Sequence, residues 1–203
     1  MFGKVASDLL GLSDIGSIIK PENYDKVDSD DYVMHEEEEK IYFLIKSKTD
    51  EYCFTNQALI HLDGTSAMSK KRMLKRFSYY AYQIANVKLE TAGTIDLDVE
   101  IKFSMGGISY SIDIAKKQIE ELKDLYKALI KIAEIQHENA QFLAYTRSSL
   151  DTAANSVRSS IGSAPLAEQF KEVNQYSFNW LKQNHDIYIR KDFGDVFEKF
   201  INL

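Results

Sequence analysis

The sequence has 203 residues, of which 44% are hydrophobic and 28% charged, a composition typical of an ordinary folded protein. Its formal net charge of −6 argues against broad binding to a nucleic-acid backbone, which requires clustered positive charge. Cys53 is the single cysteine, so neither an internal disulfide nor a cysteine-rich metal site can form. We expect one or two folded domains.

The sequence contains no candidate for a secretory signal or a membrane-spanning segment. Its longest uninterrupted apolar run, Ile41–Ile45, is far shorter than the ~20 residues that cross a bilayer. Residues 1–10 lack the apolar centre and the cleavage signal of a secretory peptide. We therefore expect a cytoplasmic protein.

Residues 1–39 form a leader with a broken amphipathic pattern, which predicts partial helix up to Pro21. An acidic stretch follows, from Asp25 to Glu39. It lacks the glycine and the terminal glutamate of an EF-hand calcium loop, so we interpret it as a solvated acidic connector.

From Ile41 to Ala115 the apolar residues follow the two-residue period of β-strands. The clearest example is the segment from Ile95 to Ser104, in which apolar and charged residues alternate strictly. Asp63-Gly64, Ala92-Gly93 and Gly106-Gly107 mark turns. Seven short strands are predicted in this region, a number and spacing typical of an antiparallel barrel or sandwich. Their expected positions are 41–46, 52–55, 58–62, 71–79, 82–89, 95–104 and 108–114.

After Ala115 the pattern changes to the 3.6-residue period of helices. A helix of about twenty residues with one apolar face is expected to cap the open end of the barrel. The remainder predicts a second helix, a third helix that begins near Pro165, and a short final helix from Asp192. The last of these is dense in apolar residues and is expected to dock on this chain or on a partner copy. Its candidate contact residues are Phe193, Phe197 and Phe200.

Two stretches carry a resemblance to a known family. Phe54-Thr55-Asn56, followed by Leu59-Ile60 and Asp63, and the segment from Glu90 to Lys102 look like the bacterial pleckstrin-homology (bPH, PH-like) domain. Residues from about 137 to 203 are similar to the C-terminal helical extension of YvbH-like proteins, and the resemblance says little about the leader.

The resemblance implies an α+β fold: a seven-stranded antiparallel barrel or sandwich of two near-orthogonal sheets, capped by an α-helix and followed by a C-terminal helical extension. We assign residues 1–39 to the leader, 40–136 to the PH-like domain with its capping helix, and 137–203 to the extension. The family implies no catalytic residues. The first hairpin, Lys46–Thr49, lacks the basic cluster that grips inositol phosphates, which argues against phosphoinositide recognition.

A basic run is the strongest local anomaly in the sequence. Because a buried strand face cannot hold unpaired lysines, this strand is expected near the edge of its sheet. Two interpretations stay open: a surface that binds anions, such as lipid headgroups or an acidic protein, and a solvated edge whose charges discourage aggregation. The candidate residues are Lys70, Lys71, Arg72, Lys75 and Arg76.

Asp96, Asp98 and Glu100 form an acidic stripe along one strand face. Successive members lie about 6.6–7 Å apart, too far for convergent metal binding. The stripe is either a solvent face or a head-to-tail contact with the basic strand of another subunit.

The sequence has no phosphate-binding loop, no dinucleotide motif and no metal-binding pair among its four histidines. We therefore expect no enzyme, no catalytic or metal-ligating residues and no cofactor. The expected function is a non-catalytic binding and assembly module that forms a homo-oligomer. Another protein is a further candidate partner, and no binding to nucleic acid is expected. The alternative is a peripheral membrane adaptor whose basic strand contacts anionic lipid, a membrane role that the acidic net charge disfavours.

Overall fold

The computed structural model describes residues 15–64, 72–91, 98–158 and 166–203. The chain divides into two compact units. Among the described residues, unit 1 comprises those up to Glu134 together with Lys191–Leu203, and unit 2 comprises Ile135–Arg190. Unit 2 is therefore an insertion in unit 1 along the chain.

Eight β-strands in the described part of unit 1 form two antiparallel sheets, the seven expected strands and a short additional one from the leader. The five-stranded sheet has the order β1-β2-β3-β4-β5, and the three-stranded sheet has the order β6-β7-β8. A parallel bridge between Gly16 and Ile114 links the first sheet to the second. The strands are β1 (Ser17–Ile18), β2 (Ile41–Lys46), β3 (Glu51–Thr55), β4 (Ala58–Gly64), β5 (Arg72–Ser78), β6 (Ala85–Glu90), β7 (Asp98–Met105) and β8 (Ile108–Ala115).

The described part of the leader, residues 15–39, covers the outer face of the five-stranded sheet. It forms three short 3-10 helices, Pro21–Lys26, Asp28–Tyr32 and His35–Glu37. Ile19, Val27 and Val33 of the leader pack in one buried cluster with Leu44, Cys53, Ile60 and Leu62 of the strands. Most acidic side chains of this segment are exposed to solvent, as expected, but its buried apolar residues also anchor it to the sheet, so it is more than a connector.

Burial on both faces explains the continuous apolar runs in β2 and β4. In a sheet covered on both sides, successive side chains are all buried and no alternation is needed. The strand β7 shows the opposite case: Val99, Ile101, Phe103 and Met105 are buried, and the residues between them are partly exposed. Its clean alternation in the sequence reflects a strand with one buried face.

A two-residue turn connects β7 to β8 as the sequence predicts. Gly106 and Gly107 have φ angles of +60° and +79°, values typical of the turns that join tight hairpins. Met105 pairs with Ile108 across the turn.

The capping helix is longer than expected. A 3-10 turn, Lys116–Gln118, leads into α1 (Ile119–Arg158), a single helix of 40 residues where the sequence suggested two. No glycine or proline occurs between residues 116 and 161, so nothing in the sequence interrupts the helix. Leu122, Leu125, Leu129 and Ile132 of its first half are buried in unit 1.

Two further helices follow, α2 (Leu166–Tyr188) in unit 2 and α3 (Gly194–Phe200) in unit 1. The expected α+β architecture, antiparallel sheets followed by a helix and a helical extension, is confirmed.

Candidate interaction surfaces

The basic run occupies the edge position predicted for it, since β5 is the last strand of its sheet. Lys70 and Lys71 lie outside the described residues. The three remaining cations each face a carboxylate of the same chain: Arg72 faces Asp28, Lys75 faces Asp63 and Arg76 faces Glu39. Their charges are thus largely balanced within the chain. The assignment of this strand as an anion-binding surface stays a prediction.

Glu39 is a buried carboxylate that joins the end of the leader to the sheet. Its oxygens accept hydrogen bonds from the Met34 backbone N–H at 2.8 Å and from the Thr55 hydroxyl, and they pair with Arg76 at 3.0 Å. Buried charges require such partners to offset their lost hydration. The acidic leader and the basic strand therefore hold each other in place.

Glu51, on β3, is the second buried carboxylate under the leader. Lys46 Nζ lies 2.6 Å from Oε1, and the Ser29 backbone N–H donates to Oε2 at 2.8 Å. Burial acts to raise the pKa of Glu51, but the hydrogen bonds and charge of Lys46 and the hydrogen bond from Ser29 lower that pKa below its usual value. Glu51 is therefore a charged anchor for the leader at neutral pH.

The acidic stripe runs along β7, and at Glu100 it meets a row of carboxylates that runs across the three-stranded sheet. Asp96 lies outside the described residues, and Asp98 is partly exposed at the start of β7. Glu100 lies in register with Glu90 on β6 and with Asp113 on β8. This row was not apparent from the sequence, because strand register decides which residues are neighbours.

Lys102 lies two residues from Glu100 on the same face of β7 and partly balances the negative charge of that row. Its Nζ is 2.9 Å from a Glu90 oxygen and 2.8 Å from a Glu100 oxygen. These hydrogen bonds raise the pKa of Lys102 and lower the pKa of Glu90. Whether the stripe meets another subunit stays a prediction.

Aromatic rings occupy the space between the two sheets. The ring of Tyr110 stacks on Phe103 at 4.8 Å and meets the edges of Tyr52 and Phe77. His61 stacks on Tyr52 at 4.4 Å, and its Nε2 lies 3.0 Å from an Asp50 oxygen. Burial, with a smaller effect of Asp63, raises the pKa of Tyr110 to about 12. These groups contribute to the core rather than to an exposed surface.

The short helix α3 docks on its own chain. Phe193 and Phe197 are buried in unit 1, where Phe197 stacks on Tyr42 at 5.4 Å and Phe193 meets the ring of Tyr79 at 5.6 Å. Phe200 is partly exposed. Of the two alternatives expected for this segment, the structure has the intramolecular one. A role of these residues between copies stays a prediction.

Polar contacts fix the start of α3. The Phe193 N–H donates to the Asn56 carbonyl at 2.8 Å, and the Asn56 side-chain amide donates to Asp192. The Tyr42 hydroxyl donates to Glu198 at 2.8 Å; burial and this hydrogen bond raise the pKa of Tyr42 to about 12.

In unit 2, the second part of α1 and α2 form an antiparallel hairpin. The Phe142 ring stacks on Tyr188 at 5.2 Å, and one helical turn further along α1 the Thr146 hydroxyl donates to Asn184 at 3.3 Å. Residue numbers rise on α1 as they fall on α2, which is the pattern of antiparallel helices. We call this line of contacts the hairpin seam.

Large apolar side chains of unit 2 are unusually exposed. On α2 the exposed fractions are 72% for Phe170, 67% for Tyr176, 62% for Phe178 and 66% for Ile187, and on α1 Tyr145 is 64% exposed. Several large apolar side chains exposed on one pair of helices indicate a candidate interaction surface. The sequence analysis predicted this helix but not the exposure of these side chains. The available signal was that α2 has more large apolar residues than a single contact with α1 can cover.

Two further observations concern the described residues alone. No three His, Cys, Asp or Glu side chains among them are grouped so that they could hold a metal ion. None of their helices combines the length and hydropathy that a bilayer span needs. The absence of enzymatic activity and the cytoplasmic location stay predictions.

Comparisons with known proteins match both parts of the chain. The model of the bacterial PH domain family matches residues 9–133, and that of the YvbH-like oligomerisation region matches residues 144–202. The chain is 57% identical over 203 residues to the uncharacterized protein YvbH of Bacillus subtilis (strain 168), with complete coverage of both chains.

A solved structure confirms the fold. The crystal structure of a PH domain-containing bacterial protein from Exiguobacterium sibiricum 255-15 superposes with a TM-score of 0.86 at 53% identity. The alignment covers 93% of this chain and all of the other. The resemblance drawn from Phe54–Asn56 and Glu90–Lys102 is thereby confirmed.

Proposed function

Because this chain belongs to the bacterial PH domain family and continues into a YvbH-like oligomerisation region, we propose that it is a non-catalytic binding and assembly module that forms homo-oligomers. Unit 2 supplies the contacts between copies. Unit 1 supplies the binding surfaces that the assembly presents in several copies.

The observation that carries this proposal is the exposure of Phe170, Tyr176, Phe178 and Ile187 on α2. Each aromatic side chain of this kind can bury about 150–250 Å², so a handful of them approaches the ~800 Å² per partner of a standard interface. Burying apolar surface contributes about 25 cal/mol per Å² before the costs of association are subtracted. Apolar contacts therefore supply the affinity.

Unit 1 is the less favoured source of the affinity between copies. Arg72, Lys75 and Arg76 pair with carboxylates of their own chain, and exposed ion pairs contribute only ~0–1 kcal/mol each. The apolar residues Phe193 and Phe197 are buried within unit 1.

Light scattering after gel filtration of the full chain tests the proposal. We expect a mass that is a multiple of 23.3 kDa at tens of micromolar protein. A variant with Phe170, Tyr176, Phe178 and Ile187 all replaced by Gln should run as a monomer with unchanged helix content by circular dichroism. A wild-type monomer under these conditions would overturn the proposal.

A peripheral membrane adaptor is the alternative function. In the basic strand, the cations that the structure describes already form ion pairs with carboxylates of the same chain. Less positive charge is therefore left to bind lipid headgroups. Flotation with vesicles containing 30% anionic lipid, compared with neutral vesicles, separates the two functions. Co-flotation that depends on the anionic lipid would support the adaptor.

A further inference from the structure

The outer edge of strand β5 carries backbone groups for which the described residues supply no partner. The Tyr79 N–H donates to the Gln57 carbonyl at 3.0 Å, so residue 79 points its N–H toward β4. The Ser78 carbonyl points the other way and accepts the Tyr82 N–H at 3.0 Å. Hydrogen bonding alternates in this manner along an antiparallel pair. Three residues of β5 therefore direct their N–H and C=O groups away from β4, and we call them the open edge: Arg72, Leu74 and Arg76.

Within the described residues, the open edge lacks the features that usually block the addition of a strand. Such features are a bulge, a proline, a covering element or an unbalanced charge. β5 pairs with β4 without a shift of register, contains no proline and is the last strand of its sheet. Arg72 faces Asp28 and Arg76 faces Glu39, so carboxylates of the same chain balance the two arginines. The open edge can therefore accept another extended backbone.

The leader runs beside β5 along its outer face. Asp28 pairs with Arg72 at the start of the strand. Further along the strand, Arg76 lies 3.0 Å from Glu39, and Glu39 also accepts the Met34 N–H at 2.8 Å. The stretch of leader from Asp28 to Met34 therefore follows the open edge over its whole length. We call this stretch the leader rim.

Exposed apolar side chains line the leader rim and β5. The exposed fractions are 47% for Tyr32 and 41% for Met34 on the rim, and 45% for Leu74 on the same face of β5 as the arginines. The opposite face of β5 carries Met73 and Lys75, and the charge of Lys75 is paired with a carboxylate. Successive side chains of an added strand point to opposite faces. Every second side chain would therefore meet the apolar rim, and those between would meet a partly polar surface.

We propose that the open edge of β5 binds an extended peptide segment of a partner protein, which adds a strand to the five-stranded sheet and carries apolar side chains at alternate positions. Backbone hydrogen bonds to the open edge supply affinity, and the apolar side chains supply specificity. This inference rests on the proposed binding function of unit 1 and names the class of its partner. It does not depend on contacts between copies.

A second copy of β5 is a poorer occupant of the same edge. Antiparallel pairing that used the whole open edge of both copies would place Leu74 opposite Leu74 and Arg72 opposite Arg76. Like charges directly opposite each other on neighbouring strands are destabilising. A segment of another protein that has no basic residues at these positions avoids this repulsion. The hydrogen-bonding pattern and the charges together thus favour a different protein as the partner.

Amide hydrogen exchange of the full chain, resolved by residue with NMR, tests the open edge itself. In the protein alone, the Leu74 and Arg76 amides should exchange roughly tenfold faster, or more, than the Met73 and Lys75 amides, which bond to β4. Slow exchange at Leu74 and Arg76 at every protein concentration would show that the chain covers its own edge. Slow exchange that appears only as the concentration rises would show pairing between copies. Either result would overturn the inference.

A displayed library of random peptides of about ten residues, selected on the immobilised full chain, tests the class of partner. We expect the enriched peptides to carry apolar residues at alternate positions. A synthetic copy of an enriched peptide should slow the exchange of the Leu74 and Arg76 amides and leave the Met73 and Lys75 amides unchanged. If no peptide is enriched, or if none of the enriched peptides protects Leu74 and Arg76, the inference is wrong.

Two substitutions at Leu74 separate the backbone contact from the side-chain contact. L74P removes an outward N–H and leaves the hydrogen bonds to β4 in place, and edge strands tolerate proline at such positions. L74A is the matched control, because it shortens the same side chain and keeps the N–H. We expect the Kd of an enriched peptide to be roughly tenfold higher for L74P than for L74A. Equal Kd values for the two folded variants would overturn the added strand.

Two further measurements keep the result unambiguous. Circular dichroism checks the fold of L74P, and if this variant unfolds, the protection of the wild-type amides by the peptide decides the question. Light scattering should give the same mass for L74P as for the wild type. A monomeric wild type that still binds the peptide through Leu74 and Arg76 would overturn the proposed homo-oligomer and support this inference. An oligomeric wild type with no peptide on these amides would do the reverse.

Discussion

Glu51 illustrates how a single buried charge positions a whole segment. Its two oxygens bind Lys46 of the neighbouring strand and the Ser29 N–H of the leader. The leader is strongly acidic, yet the carboxylates that matter for its position are Glu39, at the end of the leader, and Glu51, on the sheet below it. Both find partners on separate elements. The leader is thus fixed by specific pairs and not repelled by its own charge.

We expect the free energy of unfolding to fall in acid because of Glu51. Its pKa in the folded protein is lowered, so its stabilisation is complete above its unfolded pKa of about 4.3. It is lost as the pH falls from there through the folded pKa. Urea titrations at a series of pH values from 7 to 3 measure this loss. The pKa of Asp50 is lowered as well, so it adds a loss of the same sign.

The variant E51Q isolates the contribution of Glu51. At pH 7 it should be less stable by about 1–3 kcal/mol, because Lys46 and the Ser29 N–H lose a charged acceptor. Its stability should also fall less steeply in acid. E90Q is the control: Lys102 also lowers the pKa of Glu90, but this ion pair is exposed to solvent, so its removal should change the acid profile much less than E51Q does. Equal acid slopes for E51Q and the wild type would contradict this assignment.

Ion pairs of this kind could not be predicted from the sequence. Arg72 and Asp28 are 44 positions apart, Arg76 and Glu39 are 37 apart, and Lys75 and Asp63 are 12 apart. Composition showed that β5 is basic and that the leader is acidic. Only the folded sheet determines that these charges meet each other and not a partner.

At the scale of elements, the local pattern of apolar and polar residues predicted secondary structure well where one face of an element is buried. The alternation in β7 and the glycine turn after it were both expected and are both present. Prediction failed where one element covers another. The leader's contact with Cys53 and Ile60 has no local signal, and the junction between two expected helices near residue 137 is absent because α1 simply continues.

The β7–β8 turn provides a matched pair of substitutions. Ala at either glycine must adopt a positive φ, which costs about 1–2 kcal/mol. A Cβ at Gly106 would also collide with the ring of Phe77, whereas a Cβ at Gly107 would meet nothing within 4 Å. We expect G106A to be less stable than G107A by at least about 1 kcal/mol in urea unfolding. Equal losses would show that the Phe77 ring moves aside freely.

The docking of α3 on unit 1 can be tested in the same way. Phe197 is fully buried and stacks on Tyr42, so F197A should lower the free energy of unfolding by about 3–5 kcal/mol. F200A, at a partly exposed position, should cost clearly less. If α3 instead joined two copies, F197A would change the mass in light scattering with little effect on the stability of the monomer.

At the scale of the whole molecule, the response to salt separates two sources of assembly. Contacts between charged strands are screened at 1 M salt, where the Debye length is about 3 Å. Burial of Phe170, Tyr176, Phe178 and Ile187 is not weakened in this way. We therefore expect the oligomer mass to persist at 1 M NaCl in gel filtration with light scattering. Dissociation at high salt would instead favour the acidic stripe and the basic strand as the interface.

The position of the hairpin within the chain constrains how copies can exchange parts. The chain leaves unit 1 through α1 and re-enters it at Lys191, so both ends of the hairpin join the same body. A terminal element can be swapped between two molecules by opening one hinge. An inserted element would need two hinges to open together and the pairing of Phe193 with Asn56 to break. The architecture thus favours association through the surfaces of intact subunits over domain swapping of the helices. An assembly of this chain should therefore dissociate without unfolding of any subunit.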